Sequence, residues 1–437
     1  MKKRGYFIVN RIIILVFLFL FIISFSNSAF ALDVTHTMTD YIMYEDYFDL
    51  DASNNIDVTL GDYSYYGTSW DGFRNKENGI IEEAGSSSVF ISNPYNSMTA
   101  NARWTEIIIS GNNINKIQVA GADDNGNHEH VSSNSWTPWT DVINNEAPSE
   151  ILNKQFIKLR VELNSNGNIN EINLKYNTTM KDHPRISVDD IDELRARCTG
   201  DLATYCQRLK EFADASSYSS ESEWHIGTIA HMIAFQYVLT GDQQYADKAH
   251  NYLLNNLNSY STGAGMLALG PMADKFMVTY DWIYNGLTPS QRNVIEPKLI
   301  QLIEYTINNV YQHGPYNNHL HIEQASTLLG GIALYGGNNQ ESAEKYMKIG
   351  YNYLFNLNVP AINKVSYGMG GWHESLSYYL YYAPHNARNM DAMRTATDVN
   401  FYEFAQGARL FPNWMLHSTL PQDDTIIHLA DNGRHIW

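Results

Sequence analysis

Cysteine is nearly missing from this 437-residue chain: Cys198 and Cys206 are its two. Those thiols alone fall short of the usual four ligands of a structural metal centre. On one unbroken helix eight residues rise about 12 Å, beyond the reach of a disulfide. Gly200 breaks the helix between them, which leaves a loop staple and two free thiols both open. Basic residues are scarce, 29 Lys and Arg against 47 Asp and Glu, for a net charge of −18. Such a surface binds nucleic acid poorly and repels polyanions at long range. The HExxH zinc pattern, EF-hand spacing at Asp123 and any repeat of fixed period are also missing.

Long apolar runs are confined to the N-terminus. Lys2, Lys3, Arg4 and Arg11 precede or open the stretch 12–25, interrupted only by Ser24, and Ala29-Phe30-Ala31 follows. These are the three parts of a secretory signal, in a run shorter than the ~20 residues of a membrane span. The expectation is a cleaved signal over 1–31, a secreted or periplasmic protein and no membrane association afterwards. Cleavage leaves 406 residues with 25 basic against 47 acidic side chains, a charge of −22. That length is enough for two or three domains.

The chain changes character near residue 181. Residues 34–180 are rich in Asn, Ser, Gly and Thr. Strands are expected at 102–110, 116–122, 155–163 and 171–176, with Asn/Asp-Gly turns at 123–127 and 164–168. This pattern predicts a β-sandwich over 32–180. Trp136 and Trp139 fit packing better than a sugar-stacking platform. From 185 the period becomes helical. Helices are expected at 188–197, 224–240, 243–258, 265–285, 289–312, 319–335, 340–356, 371–383 and 399–416. Gly241, Gly286, Gly314-Pro315 and Gly336-Gly337 punctuate them, and Thr288-Pro289 supplies a cap. The fold class is thus multidomain α and β. Bundle, solenoid and closed toroid all satisfy the helical pattern.

Two runs carry chemistry. Asn317-Asn318-His319 stands at the start of the 319–335 helix. Asn is a favoured N-cap and needs no other role. A helix N-terminus also presents free N–H groups and partial positive charge to anions, and an amide and an imidazole extend that donor set. His319 and Glu323 share a face, so a buried, hydrogen-bonded pair is expected, with Glu323 fixing the imidazole tautomer. The second run is Gly370-Gly371-Trp372-His373-Glu374, with Tyr378, Tyr381 and Tyr382 following Glu374 at i+4, i+7 and i+8. That stripe suits an aromatic core face, yet its carboxyl and hydroxyls need partners if buried. A neutral phenol can act as a general acid, and one beside a cation as a general base. Lys364, Arg388 and Arg394 are nearby cations for an acidic ligand.

Four segments resemble the heparinase II/III-like and alginate-lyase superfamily of polysaccharide lyases. They are His183-Pro184-Arg185-Ile186 with Asp192-Glu193-Leu194-Arg195-Ala196-Arg197; Thr279-Tyr280-Asp281-Trp282-Ile283-Tyr284 with Leu287-Thr288; Asn317-Asn318-His319; and Gly370-Gly371-Trp372-His373-Glu374 with Tyr378 and Tyr381. The resemblance implies an incomplete (α/α) toroid over 181–437 and β-elimination in an acidic polysaccharide. It implies that Asn318 and His319 neutralise the uronate carboxylate or move a proton, and that Tyr378, with Tyr381 in reserve, protonates the leaving oxygen. Asn317, Trp372, Glu374 and Arg388 are the expected substrate-binding residues. No cofactor is implied for the reaction. The family continues into a C-terminal β-sandwich with a further His and sometimes a metal, so a truncation before that domain is expected, with His417, His428 or His435 as stand-ins. Two other functions remain open: a glycoside hydrolase using Glu374 with Asp281 or Glu323, and a carbohydrate-binding protein without turnover.

Overall fold

The computed structural model describes residues 31–37, 69–71, 73–75, 81–83, 88–92, 95–123, 135–216, 226–261, 265–309, 317–366, 371–372, 376–403 and 405–418. It is a mixed structure, a curled antiparallel sheet followed by many helices. The signal segment before Ala31, His428 and His435 lie outside the described residues, and nothing is described of the His417 side chain.

Two long strands organise the sheet: β7 (Arg103–Ala122) and β9 (Phe156–Thr179). They pair antiparallel from Arg103↔Asn177 to Ala122↔Phe156. On its other edge β9 takes up four short strands. These are β6 (Tyr95–Asn96) at Ile157, β5 (Ser88–Ile91) at Leu163, β4 (Ile81–Glu83) at Ile169 and β1 (Ala31–Thr37) at Thr179. β2 (Ser69–Asp71) pairs with β5, β3 (Phe73–Asn75) with β4, and β8 (Thr140–Asp141) with β7. Every described strand thus belongs to one connected sheet, where sequence predicted the two sheets of a sandwich. The expected strands 102–110 and 116–122 are one strand, as are 155–163 and 171–176. Asn and Gly bend these strands without ending them. Asn113 sits at φ 54°, and pairing passes from Ile114↔Leu163 to Asn112↔Asn168, so 164–167 form a bulge where a turn was expected. Along β9, Ile157, Leu159, Val161 and Leu163 are buried while Lys158, Arg160 and Glu162 are half-buried. This alternation sends one face to the core and leaves the other polar.

The helices are α1 (Ile191–Thr199), α2 (Ala203–Ala215), α3 (Thr228–Thr240), α4 (Gln243–Ser259), α5 (Met266–Ile283) and α6 (Pro289–Asn309), then α7 (Asn318–Leu334), α8 (Gln340–Asn352), α9 (Val359–Val365), α10 (Leu376–Thr397) and α11 (Gln406–Ser418). Between α1 and α2 the chain turns at Gly200, which brings the Cys198 and Cys206 Cα atoms to 5.4 Å, and the two are joined by a disulfide. α2 was not foreseen. α10 runs well beyond the expected end at 383 because Pro384 is accommodated on an exposed side of the helix.

α5 and α7 are buried along nearly their whole lengths, including polar side chains such as Asp274 and Asp281 on α5 and His321 and Glu323 on α7. Helices α3, α5, α7 and α10 follow one another as packed neighbours, with α4, α6 and α8 set against them. Gly270 permits the α5–α7 approach: a Cβ there would lie 2.5 Å from the Ile322 carbonyl oxygen. The sheet is tied to α10 and the turn after it. Thr178 Oγ1 donates to the Thr397 carbonyl at 2.7 Å, and the Asn400 amide to that of Met98 at 2.7 Å.

Candidate active site

Asn317 caps α7, its side-chain oxygen accepting the His319 amide at 2.9 Å. The capping role considered for this run therefore belongs to Asn317. Asn318, the first residue of the helix, is 3% exposed. The His319 side chain is 31% exposed, with Nδ1 3.7 Å from an oxygen of the fully buried Glu323. That separation is longer than a hydrogen bond. The expected tight pair is instead a looser approach of the imidazole to the carboxylate.

The N-terminal turns of α7 meet the first half of α10 through His321 and Ile322. The Asn386 side-chain amide donates to His321 Nδ1 at 2.6 Å, which places the ring proton of a neutral His321 on Nε2. The His321 ring lies 4.7 Å from that of Tyr382 and edge-on to Trp372 at 5.6 Å. Ile322, Ile362, Trp372, Tyr379 and Tyr382 form a buried cluster against which Tyr378 and Tyr381 pack, half-buried. Asn318 and His319 thus stand one turn before Ile322 on α7, and Tyr378 and Tyr381 of α10 pack against the cluster that Ile322 joins. Trp372 is 3% exposed, its ring taken up by His321 and Tyr382, so it supports the cluster from within. Burial raises the Tyr381 pKa, so this phenol holds its proton at neutral pH. Glu374, His373 and Tyr316 lie outside the described residues. Lys364 is exposed at the end of α9.

Arg388 belongs to a buried charge cluster that the sequence reading missed. Its Nη1 donates to Asp274 Oδ2 at 2.7 Å, and His385 Nδ1 meets the same oxygen at 2.7 Å. Asp274 is 0% exposed in the middle of α5. Burial pushes its carboxyl pKa upward, but the Arg388 guanidinium and the His385 bond outweigh that and hold it well below the ordinary range. Opposite, on α3, His231 stacks on Trp282 at 4.5 Å. Burial first, then repulsion from Arg388, pushes its pKa down to about 3, so it is neutral. One signal was available: an Asp inside a largely apolar, buried helix needs a cationic partner. Which cation, 114 residues away, sequence does not say. Arg394, the third nearby cation, bonds to Asp189 and Asp391 at 2.6 and 2.8 Å.

Asp281 is enclosed elsewhere. It takes the His183 ring at 2.6 Å and the backbone amides of Arg185 and Ile186 at 2.9 Å each. It pins the linker between sheet and helices and is not free to act as one of a hydrolase's two carboxyls. Among the described residues no group of three or more His, Cys, Asp and Glu side chains is placed to hold a metal ion. No helix among them is long and apolar enough to cross a membrane.

No family model matches this chain, and no curated protein does. Among solved structures, the crystal structure of a GH78 family rhamnosidase of Bacillus sp. GL1 is similar at 11% identity and a TM-score of 0.22. The alignment covers 78% of this chain, which spans about half, 47%, of that one. A likeness at this TM-score carries no argument about fold or activity.

Proposed function

We propose that the chain is an exported polysaccharide lyase that cleaves a uronic-acid-containing polymer by β-elimination, on helices arranged as an incomplete (α/α) toroid. The observation that carries this reading is that α7, through His321 and Ile322 just after Asn318-His319, packs on the same cluster as Tyr378 and Tyr381 of α10. The resemblance of the four sequence segments supports it.

In the proposed reaction the α7 N-terminus and the Asn318 amide receive the uronate carboxylate, offsetting charge that builds as the enolate forms. His319 in its neutral form takes the C5 proton, and Glu323 stabilises the resulting imidazolium. The C5–H electrons form the C4=C5 double bond, the C4–O4 bond breaks, and Tyr381 or Tyr378 gives its proton to O4. The raised pKa of Tyr381 suits a donor better than a base. Arg388, anchored by Asp274, offers its remaining N–H groups to an acidic sugar.

The test is ultraviolet absorbance of the unsaturated product during incubation with alginate, pectic and heparan-type chains. Replacing His319 by Ala or Tyr381 by Phe is expected to lower turnover by about 10²–10⁴-fold, the usual worth of a proton-transfer group. Tyr378→Phe decides which tyrosine is the donor. New reducing ends without the chromophore would overturn the lyase reading in favour of hydrolysis.

A further inference from the structure

The polar face of the sheet carries a lysine held between two indoles. Lys158 Nζ lies 4.4 Å from the centre of the Trp136 ring and 5.1 Å from that of Trp139. The segment bearing the tryptophans is fastened between the two rings and again after them. Thr137 exchanges two hydrogen bonds with Gly121 of β7, its amide donating to the Gly121 carbonyl at 2.8 Å and its hydroxyl accepting the Gly121 amide at 2.9 Å. Three residues on, β8 begins at Thr140 and pairs with Gln118 and Val119. Lys158 sits across from Ala120 in the same ladder. The two rings are therefore fixed over this lysine by main-chain bonds on the neighbouring strand.

The other cations around it are neutralised. Lys116 meets Asp141 at 3.0 Å, Lys154 meets Asp123 at 2.7 Å, and Arg160 pairs with Glu162. Among the described residues no carboxylate faces Lys158. In a chain of net charge −18, a half-buried ammonium that meets aromatic faces and, among the described residues, no carboxylate is a place where an anion gains charge attraction. Indoles also offer flat apolar surface on which a pyranose ring packs, and cation–π contact orients the ammonium.

We infer that Trp136, Lys158 and Trp139 form an accessory site for an acidic glycan, its carboxylate or sulfate meeting the ammonium and its ring resting on indole. The site lies on the sheet, apart from the helices that carry the proposed chemistry. It would hold a polymer that the acidic surface otherwise repels. It deepens the lyase reading and rests on it for the acidic character of the polymer.

The experiment uses the full chain with His319→Ala, so that the polymer stays whole. Affinity electrophoresis in polygalacturonate, alginate and heparan sulfate is compared with the carboxyl-reduced form of the polymer that binds best. Lys158→Met and Trp139→Ala are each expected to weaken binding by about tenfold or more, and added salt to weaken the parent far more than Lys158→Met. Lys158→Arg is expected to retain binding. The reduced polymer should bind equally well with and without Lys158. Lys158→Met in the otherwise unaltered chain should leave turnover of short oligomers unchanged. Circular dichroism identifies a variant that fails to fold, and Lys158→Met, the mildest change, then decides. Binding of all three polymers within twofold of the parent in Lys158→Met, or no binding by the parent, overturns the site. Unsaturated product without Lys158-dependent binding leaves the lyase standing and removes this site. Lys158-dependent binding without unsaturated product does the reverse.

Discussion

Acidifying from pH 7 to pH 5 should cost this protein stability at His231. In the folded chain that imidazole is buried on α3 against Trp282, and burial, reinforced by Arg388, pushes its pKa down to about 3. In the unfolded chain it titrates near the ordinary value of ~6.5. The neutral form is the one that folds, so its contribution is complete above the unfolded pKa. It is lost as pH falls from there toward the folded value. Between those limits the unfolded chain holds one more proton, and linkage sets the slope at about 1.4 kcal/mol per pH unit. From pH 6.5 to 5 the loss is therefore about 2 kcal/mol. Urea unfolding followed by tryptophan fluorescence at pH 7 and pH 5 measures it, with His231→Gln as the reference that cannot titrate. His183, whose pKa is also lowered chiefly by burial, adds pH dependence of the same sign to both proteins and cancels in the comparison. Asp274, held well below its usual range, stays ionised throughout. The expected result is a shallower pH dependence in the variant, by about 2 kcal/mol over this interval. Equal dependence in the two proteins would refute the reasoning, because His231 would then be no harder to protonate folded than unfolded.

Two further outcomes test the packing around the site. Asp274→Asn should lower stability by about 3 kcal/mol, since it leaves Arg388 without its counter-charge, and adding Arg388→Met should restore part of it; thermal melts of the three variants check this. Gly270→Ala should cost about 1–3 kcal/mol, because its Cβ would press on the Ile322 carbonyl and part α5 from α7; a melting temperature equal to the parent's would show that the two helices yield freely.

Helix positions were legible where their signals are local. The helix expected at 243–258 is Gln243–Ser259, begun by the Asp242 cap, and that expected at 319–335 is Asn318–Leu334, begun by the Asn317 cap. Each end is written in a few adjacent residues. The sheet was less legible. Asn164 to Asn168 look like a turn, yet they bulge opposite Asn113 and the ladder continues on both sides. A residue that tolerates left-handed backbone marks a bend, and only the neighbouring strand decides whether the chain turns back.

By itself the sequence determined the acidic surface, the change from strand to helix near residue 181, most helix starts, and Asn318, His319, Tyr378 and Tyr381 as the residues to examine. These follow from composition and from periods a few residues long. Tertiary structure alone decided that α7 meets α10 at His321 and Ile322, that Asp281 is locked to the linker, that Asp274 holds Arg388 and His385, and that two indoles approach Lys158. Each of these is a pairing across the fold. A buried charge announces that it needs a partner, but the choice among distant candidates is made by how the backbone packs.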